Sequence, residues 1–296
     1  MDVCLIPVPY HAGDDRHPSS AGPRRLLDAG AGDVLAGQGH AVTVELVDRG
    51  GPFRDSMSSS AAVNRQVAAM VRAAIDAGRF PLILAGSCVT SHGVLEGFDH
   101  TDCGAVWLDA HGDFNTPETT ESGFFPGMAL AVVTGHCFRS YWARIGDSTP
   151  LAEERIVMFG VRDVSPDAER ERLERSPIHL VEWRDGRPQG DVLAAIDGLA
   201  TQVQEVYLHI DLDGFDAEVA PGVADQPVPG GLTREDAETI IRATGERLRL
   251  RAATLATFAP AFDRDDRTLE LALGLIQLIG ECLSDGTPSG SQGPMS

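Results

Sequence analysis

Short apolar runs alternate along the chain with longer segments whose apolar residues recur at helical spacing. The runs predict buried strands at 3–8, 41–47, 81–86, 105–109, 156–160, 178–181, 206–211 and 253–258. Helical patterns open at 21 and cover 61–77, 192–203, 234–248 and 269–283. Strands that alternate with helices favour an α/β fold with a mainly parallel sheet and helices on both faces. In such sheets ligands bind outside the carboxyl ends of the strands.

The charge of the chain excludes several classes of function. The 296 residues include 44 acidic and 24 basic side chains, which gives a formal net charge of −20. Binding of nucleic acid through a basic face is therefore not expected, since phosphate neutralisation dominates that affinity. No apolar run reaches the roughly 18 residues of a membrane span, and the first residues lack the pattern of a secretory signal. The expected location is the cytoplasm.

The five cysteines are odd in number and scattered, with no CxxC pair. A disulfide scaffold is therefore not expected, and buried free thiols are the prediction for a reducing compartment. Residues 1–283 are predicted to form a single α/β domain. The Gly-, Ser- and Pro-rich segment 284–296 is predicted to be a flexible tail.

Two acidic clusters follow predicted strands. The first is Asp109-Ala110-His111-Gly112-Asp113, and the second is Asp211-Leu212-Asp213. Side chains two residues apart at an extended strand end point the same way, so each cluster can converge. Four carboxylates and an imidazole are a donor set for one or two divalent cations. The alternative is that these acids only cap helices and form turns, although clustered carboxylates without a cation would be destabilising.

The sequence around both clusters resembles the ureohydrolase family, which includes arginases and agmatinases. Residues 109–117 are similar to the family's DAHxDxNTP block, and residues 209–216 resemble its later metal-binding block. Further similarities are Ser20-Ala21-Gly22-Pro23, Ser122-Gly123 with Gly127-Met128, Gly160-Val161-Arg162-Asp163 and Pro229-Gly230-Gly231-Leu232-Thr233. The resemblance covers most of the chain. It implies a three-layer α/β/α sandwich around a mainly parallel sheet, and a homo-oligomer (trimer or hexamer).

The resemblance also implies a binuclear manganese centre. Asp109 and Asp211 would bridge the two ions, and His111 and Asp213 would complete the shell of one ion. Asp113 would bind the other ion and orient the nucleophile. The candidate catalytic residues are therefore Asp113 and His111, acting with metal-activated hydroxide on a small-molecule substrate. Three further residues are expected to contact the substrate: Asn115, Thr120 and Ser122.

The metal end of this predicted site departs from the family pattern at one position. Cys88, in the segment 85–89, stands where the family has its remaining metal-ligating histidine. A thiolate ligand would favour zinc or iron over manganese, so Zn²⁺ and Fe²⁺ stay open beside Mn²⁺. The alternative is that Cys88 is a small buried residue and that this metal position is weak or empty. A single ion would then remain, as in the histone deacetylases, which share this general fold.

The substrate end departs at three positions. Pro126 replaces a histidine proposed as a proton shuttle in arginases, and Ser165 replaces an acid for the substrate's α-amino group. Thr257 stands where a glutamate pairs with the guanidinium, and it is the remaining candidate substrate-binding residue. A buried guanidinium without its charge partner loses several kcal/mol, unless Glu118 or Glu121 substitutes from the neighbouring loop. These changes argue against free arginine as the substrate.

The other polar residues of interest are assigned structural roles. His209 lies deeper in its strand than the metal-facing residues, and His92 is interpreted as a helix-surface or core histidine. His11 and His17 are expected in a solvated loop near the rim of the site. The charge-rich segment 163–174 is predicted to be a solvated helix.

Three functions follow from these observations. The favoured one is metal-dependent hydrolysis of a linear C–N bond in a guanidino, amidino or amide substrate. The second is a non-catalytic, metal-binding or regulatory protein with the arginase fold, which the four departures motivate. The third is true arginase or agmatinase activity, which the threonine at position 257 disfavours.

Overall fold

The central sheet draws its strands from most of the chain. The computed structural model describes residues 1–224 and 228–285. The strands within these ranges are β1 Asp2–Val8, β2 Val42–Val44, β3 Arg79–Ala85, β4 Cys103–Leu108, β5 Ile156–Phe159, β6 His179–Val181, β7 Trp183–Arg184, β8 Arg187–Pro188, β9 Glu205–Asp211 and β10 Arg249–Ala256. Eight of them form one sheet in the order β2-β1-β3-β10-β9-β4-β5-β6, and its strand pairs are parallel. The predicted parallel α/β sheet is confirmed.

Helices follow most of the strands, as the alternating pattern predicts. They are α1 Gly22–Asp28, α2 Ala31–Gly37, α3 Ser56–Asp76, α4 Ser91–Glu96, α5 Ala129–Val133, α6 Arg139–Trp142, α7 Asp167–Arg175, α8 Val192–Ala200, α9 Arg234–Arg247 and α10 Arg267–Asp285. Local signals fix where the longer ones begin. Asp55 accepts a hydrogen bond from the Ser58 N–H ahead of α3, and Thr233 and Asp236 form a capping box at α9.

Successive residues of a strand pack into two separate hydrophobic cores. In β1, Val3 and Leu5 belong to one core, whereas Cys4 and Ile6 belong to the other. Side chains alternate between the two faces of a sheet, so the cores lie on opposite faces. Helices α1, α2, α8, α9 and α10 cover the first face, and α3 to α7 cover the second. The result is the predicted three-layer α/β/α sandwich.

The last helix runs to Asp285, slightly beyond its predicted end. The rest of the predicted tail, 286–296, lies outside the described residues, and the division into one domain and a tail stays a prediction. Cys4, Cys88, Cys103 and Cys137 are free and buried, in agreement with the prediction of buried thiols, and Cys282 is partly buried. Within the described ranges, no helix combines the length and the apolar character needed to cross a membrane.

Four neighbouring strands end at the same level of the sheet. Their register aligns Ala85 with Ala256, Ala256 with Asp211, and Ile210 with Leu108. The segments that leave the carboxyl ends of β3, β10, β9 and β4 therefore start side by side. This alignment brings together residues that are far apart in the sequence.

Candidate active site

A cavity of about 460 Å³ opens above the carboxyl ends of β3, β10, β9 and β4. One residue at or just after the end of each strand lies on the floor of the cavity. In the same order as the strands, these residues are Cys88, Thr257, Asp211 and Asp109. The position agrees with the general rule that α/β sheets bind ligands at this edge. The adjacency of the strands explains why residues more than a hundred positions apart share one site.

The structure brings all of the sequence-predicted site residues to this cavity. Its lining includes the six candidate metal ligands, Cys88, Asp109, His111, Asp113, Asp211 and Asp213, and the four candidate substrate residues, Asn115, Thr120, Ser122 and Thr257. Pro126 and Ser165 line it as well. Glu118 and Glu121 are exposed and do not, so the suggestion that either replaces the absent glutamate is wrong.

One side of the floor consists of Asp109, His111 and Asp213. Nδ1 of His111 lies 3.3 Å from Asp109 Oδ1 and 3.2 Å from Asp213 Oδ2. Burial alone would lower the pKa of His111, but the two carboxylates outweigh it and raise that pKa well above its usual value. One ligand atom from each of the three residues lies within 4.8 Å of the others. This spacing suits a divalent cation.

The other side of the floor is built around Cys88. Its thiol donates a hydrogen bond to Asp211 Oδ2 at 2.6 Å, and ligand atoms of Cys88, Asp109 and Asp113 lie within 4.8 Å of one another. Burial raises the pKa of Cys88, and the surrounding carboxylates raise it further. Burial and neighbouring carboxylates likewise raise the pKa values of Asp113 and Asp211. In the absence of a cation, burial and the neighbouring carboxylates favour the protonated forms of Cys88, Asp113 and Asp211.

Backbone hydrogen bonds fix the orientation of the acids. Asp109 Oδ1 accepts a hydrogen bond from the backbone N–H of His111 at 2.8 Å. In the same way, Asp211 Oδ1 accepts a hydrogen bond from the backbone N–H of Asp213 at 2.8 Å. These acids therefore do form turns, as the structural alternative proposed. Asp113 differs, because its Oδ2 is buried and has no hydrogen-bond partner among the described residues. A buried carboxylate oxygen without a donor is the feature that a bound cation or water would satisfy.

Two residues of the floor adopt a left-handed backbone. Asp113 has φ +48° and Thr257 has φ +69°. Such a conformation is a strained outlier for a β-branched residue such as threonine, and it costs of order 1–3 kcal/mol. Residues held in this way cluster at functional sites. Both residues with this strained backbone, Asp113 and Thr257, have side chains that line the cavity.

Comparison with known proteins assigns this arrangement to a family. A model of the arginase family matches residues 1–280. The chain belongs to the arginase family. The arginase of Bacillus caldovelox is 29% identical over 95% of this chain and 99% of its own length, and that of Brevibacillus brevis is 29% identical over 94% and 97%. The solved structure of the Bacillus caldovelox arginase superposes with a TM-score of 0.85 at 27% identity, over 96% of this chain and 99% of that one.

The four positions that depart from the arginase family pattern all lie in the cavity. Cys88 and Thr257 are on the floor, and both of their side chains donate hydrogen bonds to Asp211. The Thr257 hydroxyl is therefore directed at the acid cluster. Pro126 and Ser165 belong to the surrounding loops. A proline cannot transfer a proton, so the shuttle histidine of the arginases has no counterpart at position 126.

Glu169 is a site residue that the sequence prediction missed. The prediction of a solvated helix is wrong at this position, because α7 turns Glu169 inward while its other acids face solvent. Its carboxylate accepts hydrogen bonds from the Phe114 N–H at 2.8 Å and from Asn115 Nδ2 at 2.7 Å. Burial raises the pKa of Glu169 to about 7. A signal for this was available in the sequence. Leu173, the only other buried residue of α7, lies one helical turn from Glu169, so the two residues share the inward face of the helix.

Two histidine predictions have different outcomes. His11 lines the cavity, is only 7% exposed and stacks on His17 with ring centroids 3.6 Å apart, so the prediction of a solvated loop is wrong there. His92 is fully buried, with Nε2 3.1 Å from the Ala129 carbonyl oxygen and Nδ1 3.3 Å from the Tyr141 hydroxyl. It is a core histidine, as predicted.

Proposed function

We propose that this protein hydrolyses a linear C–N bond in a guanidino, amidino or amide substrate, using divalent cations held by the cavity floor. The observation that carries the proposal is the convergence of Asp109, His111, Asp113, Asp211 and Asp213 at one edge of the sheet. Membership of the arginase family supports hydrolysis as the reaction. Both lines of support are independent of the four departures.

The residues of the floor fit a divalent metal centre. Carboxylates and an imidazole are ligands that manganese accepts. Asp109, Asp211, His111 and Asp213 would hold one ion, and Asp109, Asp211, Asp113 and Cys88 would hold the other. The unpartnered Asp113 Oδ2 and the raised pKa values of Asp113 and Asp211 are what an acid cluster shows without its cation. When bound, the ions would activate water and stabilise charge that develops on the substrate.

The chain's own residues would supply the remaining steps. Asp113 Oδ2 would accept a hydrogen bond from the attacking water and so orient it towards the central carbon. Thr120 and Ser122 at the rim would bind the far end of the substrate. Protonation of the leaving amine falls to a group other than Pro126. Two candidates line the cavity, His11 and Glu169, and the pKa of about 7 suits Glu169 to such a transfer.

The charge of the cavity limits the substrate class. Six carboxylic acids line it, and among the described lining residues there is no arginine. This excess of carboxylates disfavours an anionic substrate, whereas a cationic or neutral nitrogen compound is compatible. Thr257 offers no carboxylate to a guanidinium. A modified guanidino compound, an amidine or an amide is therefore proposed ahead of arginine and agmatine.

The test is a substrate panel run on protein reconstituted with manganese. The panel contains guanidines, amidines, formimino compounds and acyl amides, each assayed with and without a chelator. We expect at least one compound to be hydrolysed, and the turnover to disappear on chelation. If no compound is hydrolysed by protein that binds metal, the proposal is wrong and the non-catalytic alternative takes its place.

A further inference from the structure

His209 occupies a position that its predicted structural role does not explain. It lies on β9, two residues before Asp211 and on the same face of the strand. The side chain is fully buried, and its ring stacks on Trp107 with centroids 3.7 Å apart. Trp107 in turn donates its Nε1–H to Asp109 Oδ2 at 3.0 Å. The imidazole is thus fixed directly beneath the acid cluster.

The hydrogen bonds around the ring select one tautomer of His209. The Tyr207 hydroxyl donates its proton to Thr254 Oγ1 at 2.8 Å. Its oxygen therefore accepts from His209 Nδ1, which lies 2.8 Å away and must carry the ring proton. Nε2 is left with a lone pair. Metal-binding imidazoles are usually held in this way, with one nitrogen donating to a fixed partner and the other free for the ion.

The free lone pair has no hydrogen-bond partner within residues 1–224 and 228–285. Nε2 of His209 is buried and makes no hydrogen bond to any described residue. Nearly all buried polar atoms are satisfied, so an unpartnered imidazole nitrogen indicates a missing ligand. A ring nitrogen of His209, the sulfur of Cys88 and a carboxylate oxygen of Asp211 all lie within 4.8 Å of one another. Since Nδ1 is bonded to Tyr207, Nε2 is the nitrogen that can bind a metal.

We propose that Cys88, His209 and Asp211 form a binding site for a borderline-soft divalent cation such as Zn²⁺, Co²⁺ or Fe²⁺. The imidazole that the arginase family pattern places at position 88 is supplied here by the neighbouring strand. Zinc binds sulfur at about 2.3 Å and imidazole nitrogen at about 2.0 Å in a tetrahedral shell, so ligand atoms on one ion lie roughly 3.5 Å apart. The three ligand atoms here lie within 4.8 Å of one another, so they need only a small inward movement to bind one ion. The inference rests on the metal centre of the proposed function, and it does not require turnover.

The proposal makes the two sides of the floor chemically different. Asp109, His111 and Asp213 offer oxygen and nitrogen donors, which manganese accepts. The Cys88 side offers a thiolate and an imidazole beside the carboxylates of Asp113 and Asp211, and thiolate donors favour zinc and similar ions. A mixed centre, with a different metal on each side, is therefore the expected state of the protein.

Cobalt provides a direct probe of this donor set. The full-length protein is stripped with a chelator and titrated with Co²⁺ alone, and then with Zn²⁺ in competition. We expect a near-ultraviolet sulfur-to-cobalt charge-transfer band, which Zn²⁺ abolishes by displacement. Cys88→Ser should remove the band. His209→Gln should retain it, but change the visible ligand-field bands and weaken cobalt affinity by at least about tenfold, the lower end of the cost of losing a supporting ligand contact.

Matched controls separate ligation from packing. Cys103→Ser removes another buried thiol, at the opposite end of β4, and His92→Gln removes a buried imidazole whose two nitrogens are already bonded. Both variants should keep the cobalt spectrum and affinity of the unmodified protein. If His209→Gln also keeps them, His209 is not a ligand and the proposal is wrong. If no charge-transfer band forms, the whole site is refuted.

A measurement on the unmodified protein covers the case in which His209→Gln does not fold. In the proton NMR spectrum of the cobalt-loaded protein, each ligating imidazole gives a hyperfine-shifted, exchangeable N–H signal. We expect one from His111 and a second, slowly exchanging one from His209, whose N–H is shielded by Tyr207. A single signal would contradict the proposal. Loss of hydrolysis with both signals present would instead contradict the proposed function.

Discussion

The floor and the rim of the cavity are built differently, and they differ in how closely they match the arginase family pattern. The floor consists of strand-end residues whose carboxylates accept backbone N–H groups, such as Asp109 and Asp211. The rim consists of loop residues that are partly or fully exposed, such as Thr120, Ser122 and Ser165. Five of the six expected metal ligands are present on the floor, where Cys88 and Thr257 are the departures, and the surrounding loops carry the other two, Pro126 and Ser165. The floor therefore keeps most of the expected metal ligands, whereas the positions expected to contact the substrate differ from the arginase family pattern at Pro126, Ser165 and Thr257.

The largest effect is expected at the centre of the floor, from Asp211→Asn. Asp211 is proposed to bridge both ions, so its loss removes cations together with the charge stabilisation they provide. Removing a single electrostatic contact in an active site typically costs 10²–10³ in kcat, so we expect turnover to fall by at least about 10³-fold. Steady-state kinetics and elemental analysis of the same sample measure both effects. Full activity in this variant would rule out the assigned metal centre.

Asp197→Asn is the control for this prediction. Asp197 lies on α8, is exposed, and is not part of the cavity lining. The substitution removes the same charge from the chain without touching the floor. Turnover and metal content should match those of the unmodified protein, which separates a local effect from a change in net charge.

Thr257→Glu is expected to have a smaller effect than Asp211→Asn, and in the opposite direction, because it should increase activity on a guanidinium substrate. The variant restores a carboxylate at the position that pairs with a guanidinium in arginases. A buried charge pair is worth about 2–5 kcal/mol when one partner is otherwise unpaired, so we expect kcat/KM for arginine or agmatine to rise by at least about 30-fold, the lower end of that range. Thr257→Gln has the same length without the charge and should give no such rise. Equal values for the two variants would show that position 257 does not face the substrate.

Metal removal is expected to change stability in a pH-dependent way. The raised pKa values of Asp113, Asp211 and Glu169 mean that the native state keeps protons which the unfolded chain has lost. The free energy of unfolding of the chelated protein therefore falls as the pH rises from about 4.5 to about 7, the interval between the ordinary and the raised pKa of Glu169. A bound cation favours the ionised carboxylates and opposes this fall.

Urea unfolding of chelated and metal-loaded protein, at a series of pH values, tests this expectation. With the free cation fixed at a hundred times the Kd that applies at pH 7, the loaded form should be more stable by about 2.7 kcal/mol at that pH. The difference between the two forms should grow between pH 5 and pH 7. Parallel curves over that interval would mean that the acids of the cavity do not bind the cation.

The floor could be predicted from the sequence because its signals are local. Residues 109–113 and 211–213 each follow an apolar run directly, and a parallel sheet brings the ends of its strands to one edge. Cys88 and Thr257 were assigned to the site by the resemblance to the ureohydrolase family, and the structure places both in the cavity. What the sequence did not show is that β3, β10, β9 and β4 are neighbours, since that order depends on packing across the whole sheet.

Glu169 and His209 show where sequence reasoning failed or fell short. Most residues of α7 are solvated, and whether Glu169 faces inward depends on contacts with Phe114 and Asn115, which are more than fifty residues away. His209 lies deeper in its strand than the acids, as predicted. Its unpartnered Nε2 follows from the hydrogen bond between Tyr207 and Thr254, which belong to different strands. Such pairings become visible only once the register of the sheet is known.

The smallest effect is expected at the rim, from Ser122→Ala. The Ser122 hydroxyl lies on an exposed loop, where its oxygen accepts the Phe124 N–H at 3.1 Å and its proton is available to a substrate. A hydrogen bond of this kind is worth about 0.5–1.5 kcal/mol. We therefore expect KM to rise about 2- to 10-fold, while kcat stays within about twofold. Ser140→Ala, at another exposed serine, is the control and should change neither constant. Binding lost equally from the ground and transition states raises KM alone. A parallel drop in kcat and kcat/KM would instead show that the rim acts on the reacting atoms, and the division between a catalytic floor and a substrate-selecting rim would not hold.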